Sequence, residues 1–256
     1  MRFFKKVLKF FFSVYGFTIF LLLMFLLLPL FVIAFLQKPI KGGNMVMKLA
    51  RVWAQLFLFF TAIRSRKIYE EKTEDKEYIF VTNHISYMDI PMMMIVTAGK
   101  NIRILGKAEM ARIPVFGSIY KRGTVTVNRE NPEARAESVE RLITFINKRI
   151  SILICPEGTF NKTNEPLKFF YDGAFRIAIE TKKPIKPVLF PDTNDRLNNN
   201  SIFSLMPGKC RAIYLSETST EGLTIEDLPS LKEKIYQQME EGLIRYHASW
   251  IDKIGE

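Results

Sequence analysis

Two histidines occur in the chain, and one of them, His84, stands five residues before an aspartate in the run Asn83-His84-Ile85-Ser86-Tyr87-Met88-Asp89. An aspartate that accepts from one imidazole nitrogen fixes the tautomer and stabilises the imidazolium, which leaves the other nitrogen to take a proton from a hydroxyl. That is the general-base half of a triad. On a regular helix a five-residue step separates two side chains by about 140°, so the pair meets only if the chain bends between them. Ser86 and Pro91 can supply such a bend. The spacing alone is equally compatible with Asp89 capping a helix that starts near Pro91 and His84 closing a strand. No Gly-x-Ser-x-Gly elbow supplies a protein nucleophile, so direct attack by a substrate hydroxyl is the simpler chemistry.

A second feature is Ile152 to Thr159 (ILICPEGT), an apolar strand that stops at Pro156 and turns through Gly158. Backbone amides and the Thr159 hydroxyl around such a turn can cradle an anion or a substrate oxygen, with Glu157 available to accept from a hydroxyl. Taken alone it is a tight turn. A third feature is basic: Lys107 follows Gly106, and Lys121, Arg122 and Arg129 flank the strand GTVTV. The arginine fork suits a phosphate monoester, although any single one of these cations is compatible with a solvated surface charge.

These residues need elements to hold them. From Ile68 onward short β-rich runs alternate with helical windows, which predicts an α/β domain with a mostly parallel twisted sheet flanked by helices. The expected strands are Tyr78 to Thr82, Ile102 to Leu105, Gly123 to Val127, Ile152 to Cys155, Ile185 to Phe190 and Arg211 to Tyr214. The expected helices are Pro91 to Thr97, Pro132 to Arg149, Gly173 to Glu180 and Pro229 to Ile251, the second with Asn131 as N-cap and Pro132 in its first turn. His84 then lies at the C-terminal end of a strand, where open α/β sheets bind ligands. Asn194 to Asn200 reads as a polar loop.

At 256 residues and 48% apolar composition the chain can build one sizeable domain and an appendage. The appendage is visible: residues 7–36 are nearly all apolar, longer than the roughly 20 residues that span a hydrocarbon core. That is also too long for the h-region of a secretory signal. Residues 45–63 form a second apolar stretch with Lys48 and Arg51 near its start. It reads as an interfacial or re-entrant helix with these cations and Trp53 near the headgroups; a core helix of the soluble domain is the alternative. The expected division is 1–66 for membrane-anchoring helices and 67–256 for the α/β domain. Basic residues precede the first stretch and follow both, so both flanks fit the cytoplasmic side of a cell membrane, as an even number of crossings or a hairpin that never crosses would allow.

The net charge of +11 suits anionic partners, but no groove-reading or stacking motif supports nucleic acid. Cys155 and Cys210 form no spaced cluster. With two histidines in all, a multi-histidine metal centre is excluded by count, and no catalytic metal is expected.

Taken together the residues resemble the glycerolipid acyltransferase family, and within it the 1-acyl-sn-glycerol-3-phosphate acyltransferases, in order from about Tyr78 to Val188. The family's Asn-His, four residues, Asp motif is similar to Asn83, His84 and Asp89, which the resemblance makes catalytic base and orienting partner. Its Gly strand ending in Arg is similar to Gly123 to Arg129, implying phosphate binding by Arg129. Its Pro-Glu-Gly-Thr motif is similar to Cys155 to Phe160, implying substrate contacts from Glu157, Gly158 and Thr159. Its apolar run around Pro is similar to Ile185 to Val188. Lys107, in Gly106-Lys107-Ala108-Glu109, resembles a lysine the family often carries and is a second expected phosphate ligand. Cys155 and Phe160 depart from the family's usual Phe and polar residue, and Lys168 carries no assigned role.

The resemblance implies the glycerolipid acyltransferase fold and acyl transfer from acyl-CoA or acyl carrier protein, as co-substrate and without a further cofactor, to the free hydroxyl of lysophosphatidic acid. The backbone amides near Gly158 are candidate oxyanion donors. Membrane phospholipid and lysophospholipid are then the expected partners. Glycerol 3-phosphate, another lysophospholipid or a lyso-ornithine lipid as acceptor, and a non-catalytic protein that binds anionic lipid, are the alternatives.

Overall fold

Runs such as IFVT and SILI are covered at every position, the pattern of strands with helices on both faces. The computed structural model, which describes residues 2–128 and 131–251, builds them into the middle of a seven-stranded sheet. In chain order the elements are α1 (Arg2–Phe35), α2 (Pro39–Phe60), β1 (Ile63–Tyr69), β2 (Ile79–Thr82), α3 (Asp89–Val96), β3 (Ile102–Lys107), α4 (Phe116–Gly123), β4 (Thr124–Val127), α5 (Pro132–Ile146), β5 (Ser151–Ile154), α6 (Gly173–Thr181), β6 (Ile185–Leu189), α7 (Thr193–Arg196), β7 (Gly208–Tyr214) and α8 (Leu228–Arg245). The strand order is β1-β7-β6-β2-β5-β3-β4. Five neighbouring strands, β6 to β4 in that order, are parallel; β7 runs antiparallel to β6 and carries β1 parallel to itself.

Alternation along the strands feeds two cores. Ile79, Val81, Ile152 and Ile154 face α5, α6 and α8, while Tyr78, Phe80 and Leu153 face α2 and α3. α5 starts where Asn131 accepts from the amides of Glu133 and Ala134, with Pro132 in the first turn.

Several boundaries differ from the sequence expectation for local reasons. α5 stops at Ile146, and Arg149 turns the chain with φ +59°. α8 stops at Arg245 rather than continuing to Ile251: His247 adopts φ +52°, and the Ala248 amide folds back onto the Leu243 carbonyl. β1 and α4 are additional elements, and β1 runs across residues 66 and 67 as an edge strand of the sheet.

α2 is the layer between the sheet and α1. Ala54, Phe57 and Leu58 are buried in the core that includes α3. Arg51 donates to the carbonyls of Met94, Thr97 and Lys100 at the end of α3, where a helix C-terminus attracts a cation. Trp53 stacks on Phe57 with Phe20 against its edge. Arg51 and Trp53 thus pack against the protein's own groups, the packing that the core-helix alternative describes, while Lys48 stays exposed. α1 lies along the outer side of α2, tied at one end by Tyr15, which donates to the Phe60 carbonyl, and by the Leu205 amide, which donates to Ser13 Oγ. By length and composition α1 is apolar enough over Lys6–Phe35 to cross a membrane.

Candidate active site

β2 ends at Thr82 and the chain leaves the sheet between β6 and β5. Asn83 clamps the exit: its Oδ1 accepts from the Phe190 amide at 2.8 Å and its Nδ2 donates to the Phe190 carbonyl. Ser86 makes the bend that the His-Asp step demands. Its Oγ accepts from the Met88 amide and donates to the Leu197 carbonyl, and its own carbonyl accepts from the Asp89 amide. The bend brings His84 Nδ1 to 2.9 Å from Asp89 Oδ2.

Asp89 is fully buried, and the same Oδ2 accepts from the amides of Ile85 (2.8 Å) and Ser86 (2.9 Å). Three donors on one oxygen hold this carboxylate rigidly against the imidazole. The His84 side chain remains 20% exposed, and with Nδ1 turned to Asp89 its Nε2 is the nitrogen left for a ligand. Asp89 is also the first residue of α3, but Met88 is the N-cap and no side chain caps the helix; the Asp89 carboxylate takes amides that precede α3, so the pairing rather than the capping alternative describes it.

The Pro-Glu-Gly-Thr turn follows β5 at the same sheet edge. Glu157 is 1% exposed; Oε1 accepts from the His84 amide at 2.8 Å and Oε2 from the Lys168 amide at 3.0 Å. Burial pushes its carboxyl up to about 7, against the pull of those two amides, with the Asp89 charge adding to the rise and Lys168 opposing it. Both oxygens accept from backbone amides, so Glu157 ties the turn to the His84 loop. Gly158 is buried with φ +71° and lies against the Tyr171 ring, where a Cβ would come within 2.7 Å. Its own amide donates to the Cys155 carbonyl at 3.0 Å. Thr159 is exposed, and its Oγ1 accepts from Lys168 Nζ at 2.7 Å.

Lys107 ends β3 at this edge, exposed and 3.2 Å from Glu109. With β5 between β2 and β3, it stands roughly 10 Å across the sheet from the His84 loop. Arg129 lies outside the described residues. Sequence reasoning left out three positioning residues: Lys168, and the asparagines 161 and 199. The Asn161 amide donates to the His84 carbonyl at 2.7 Å, and Asn199 Nδ2 donates to the carbonyls of both Ile85 and Asn161. Phe160, a departure from the motif, packs 4.3 Å from the His84 ring and edge-on to Tyr87. A cavity of about 600 Å³ opens beside Gly158, walled by Leu105, Val127, Val139, Ile143 and Ile154, with Arg135 and Arg176 also lining it.

A family model described as Acyltransferase matches residues 64–190, the stretch that carries His84, Asp89, Lys107, Glu157, Gly158, Thr159 and Lys168, while Asn199 lies beyond it. Residues 64–190 belong to the acyltransferase family. Among curated relatives of this acyltransferase, a 1-acyl-sn-glycerol-3-phosphate acyltransferase of Cocos nucifera is 29% identical over 180 residues, 70% of this chain and 54% of its own. The enzyme described as 1-acyl-sn-glycerol-3-phosphate acyltransferase alpha of Mus musculus is 29% identical over 164 residues, 63% of this chain and 57% of its own. The chain thus spans little more than half the length of these two. The counterpart from Haemophilus influenzae is 26% identical over 202 residues and is covered over 82% of its length. The acyltransferase shares its fold with the 1-acyl-sn-glycerophosphate acyltransferase PlsC of Thermotoga maritima: TM-score 0.73 at 21% identity, over 98% of this chain and 99% of that one.

Proposed function

We propose that this acyltransferase moves an acyl group from a thioester donor, acyl-CoA or acyl carrier protein, to the free hydroxyl of lysophosphatidic acid, giving phosphatidic acid. The observation that carries the reading is the His84–Asp89 hydrogen bond at the C-terminal edge of the parallel strands, with Nε2 of a partly exposed imidazole turned outward. In the proposed reaction Nε2 takes the proton of the acceptor hydroxyl as its oxygen attacks the thioester carbonyl carbon. Buried Asp89 stabilises the imidazolium that results. The C–S bond then breaks, and the leaving thiolate takes the proton back from Nε2. A base so positioned contributes about 10²- to 10⁴-fold.

The relatives' names specify a glycerol phosphate acceptor, and the cations at this edge suit one. Lys107, and Lys168 beside Thr159, are exposed ammonium groups within the described residues, and Arg129 adds a third by motif. The cavity beside Gly158 is largely apolar, which suits the acyl chain of a thioester donor, and Arg135 and Arg176 line it together with Glu140, Asp172 and Glu180.

The lipid has a short route to this edge. Residues 197–205 tie the His84 loop to α1, through Leu197 to Ser86, Asn199 to Ile85 and Leu205 to Ser13. Phe203 on that segment packs against Phe10 of α1, ring centres 5.0 Å apart. A helix packed along α2 in this way favours a hairpin resting in one leaflet over a span that leaves the domain, with the α/β domain on the cytoplasmic face of the cell membrane.

The test is acyl transfer by the purified protein with labelled acyl-CoA or acyl-loaded carrier protein and a panel of acceptors. The expected product is phosphatidic acid from lysophosphatidic acid. Preferred acylation of glycerol 3-phosphate or lyso-ornithine lipid would reassign the acceptor, and no transfer with either donor would revive the non-catalytic lipid-binding reading. His84→Ala should lose roughly 10²- to 10⁴-fold in kcat with membrane attachment unchanged.

A further inference from the structure

A cavity of about 1160 Å³ lies away from the His84 loop, at the sheet edge where β3 begins and α4 and α5 end. It is formed by the turn between α1 and α2 closing onto that edge. Lys38, Lys41, Lys48, Lys121, Arg141 and Lys148 surround it as exposed side chains. Arg103, 1% exposed, and half-buried Arg122 also line it. No acidic residue lines the cavity, and among the described residues none of these eight cations pairs with a carboxylate.

The two arginines are held in place by neutral partners. Arg103 donates to Asn44 Oδ1 and to the carbonyls of Ile102 and Ile40, with its guanidinium 5.0 Å from the centre of the Phe145 ring. Arg122 donates through Nη2 to the carbonyls of Phe35 and Gln37 at the end of α1, while its buried Nε has no acceptor. Burial, and then the Arg122 charge, push Arg103 down to about 10, so two charged guanidinium groups sit close together at neutral pH. Gly43 admits this approach: a Cβ there would stand 2.3 Å from Arg103 Nη2. The first turn of α2 adds its positive end, where Lys38 makes no side-chain cap. Like charges gathered around a concavity without a counter-charge repel one another unless an anion enters.

We propose that this cavity is a second phosphate site, which holds the headgroup of an anionic membrane phospholipid at the sheet edge opposite the His84 loop. The choice of a lipid over a free phosphate follows from position. The site adjoins the C-terminal end of α1, where Leu36 is 80% exposed and Val32 and Ile33 are also exposed, so a headgroup in the cavity has apolar surface beside it for its acyl chains. The site is independent of the acyl-transfer reading, since it needs none of the residues assigned to that reaction.

The test uses the full chain in phosphatidylcholine vesicles with or without phosphatidylglycerol, read by co-flotation and by native mass spectrometry of lipid retained after extraction. Lys121→Ala/Lys148→Ala removes two exposed cations from the cavity. Lys182→Ala/Lys234→Ala removes the same charge from a distant surface. The cavity pair should lose retained phosphatidylglycerol on the order of tenfold while the distant pair loses little, and phosphatidylcholine retention should be equal in all three proteins. Equal loss in both pairs, or none in either, overturns the site. Displacement of phosphatidylglycerol by millimolar inorganic phosphate would reassign it to a free anion, and selective retention of a polyanion such as heparin, with no phosphatidylglycerol held, would overturn the lipid. Matching thermal unfolding of the two variants keeps a folding defect from imitating the result.

Discussion

Asp89 concentrates three donors on one oxygen, and this makes its charge separable from its geometry. In Asp89→Asn the amide oxygen can still accept from Ile85 and Ser86, so the bend survives while the imidazolium loses its counter-charge. The expected outcome is a fall in kcat of about 10²- to 10⁴-fold with KM for the acceptor nearly unchanged, measured by steady-state acyl transfer. Full activity would remove Asp89 from the mechanism. Glu157 makes a different prediction. Its folded-state value, about 7, lies above the ordinary 4.5, so the folded protein keeps a proton that the unfolded chain releases. The stabilisation is therefore complete below about pH 4.5 and is lost as pH rises through about 7, on the order of 3 kcal/mol at most. Urea midpoints compared at about pH 5 and about pH 8 should fall more for the native protein than for Glu157→Gln, whose side chain does not titrate. Parallel slopes would show that Glu157 is ionised throughout.

The His84 loop is held by other loops, and those ties are where the sequence was least legible. The strands behind the site could be read because β2, β5 and β6 are buried on both faces and their residues are apolar in unbroken runs. α5 could be read because Asn131 and Pro132 mark its start chemically. Asn131→Ala should accordingly cost about 1 kcal/mol in stability, measured by chemical denaturation. β1 could not be read: IRSRKIY is polar at four of seven positions because an edge strand exposes most of them. Nor could Asn161 and Asn199, since their partners are backbone carbonyls set by tertiary approach, which no spacing encodes. Residues 194–200 read as a polar loop; residues 194–196 are instead part of α7, and residues 197–205 brace α1, the His84 loop and Asn161 just beyond the Pro-Glu-Gly-Thr turn. Asn199→Ala removes two of its bonds, each worth about 1 kcal/mol. Its thermal midpoint should drop by a few degrees, about 2 to 4 °C per kcal/mol in a chain of this size, and kcat should fall several-fold. A lowered midpoint with unchanged kcat would assign the brace to stability alone.

At the scale of the molecule, hydropathy announced an apolar appendage but left its position open. The structure lays α1 along α2 through one narrow stripe. Ser13, Gly16, Leu23, Leu27, Phe31 and Ala34 are buried and fall within about 80° of the helix surface. Phe11, Leu22 and Leu26, on the opposite side, are 64%, 59% and 70% exposed. A helix apolar all round and covered on one side leaves a contiguous apolar surface far larger than scattered exposed side chains produce, and a bilayer is the solvent that matches it. Because those three side chains face away from the protein, changing them separates attachment from folding. Phe11→Asp/Leu22→Asp/Leu26→Asp should unfold at nearly the native temperature. It should nonetheless leave the membrane on flotation, since each large apolar side chain withdrawn from lipid forfeits about 1.5 to 3 kcal/mol and each carboxylate adds a further penalty. Acylation of a short-chain, water-soluble lysophosphatidate should persist, while acylation of acceptor embedded in vesicles should collapse. A variant that stays with the vesicles after an alkaline wash would mean that surfaces other than α1 hold the protein to lipid.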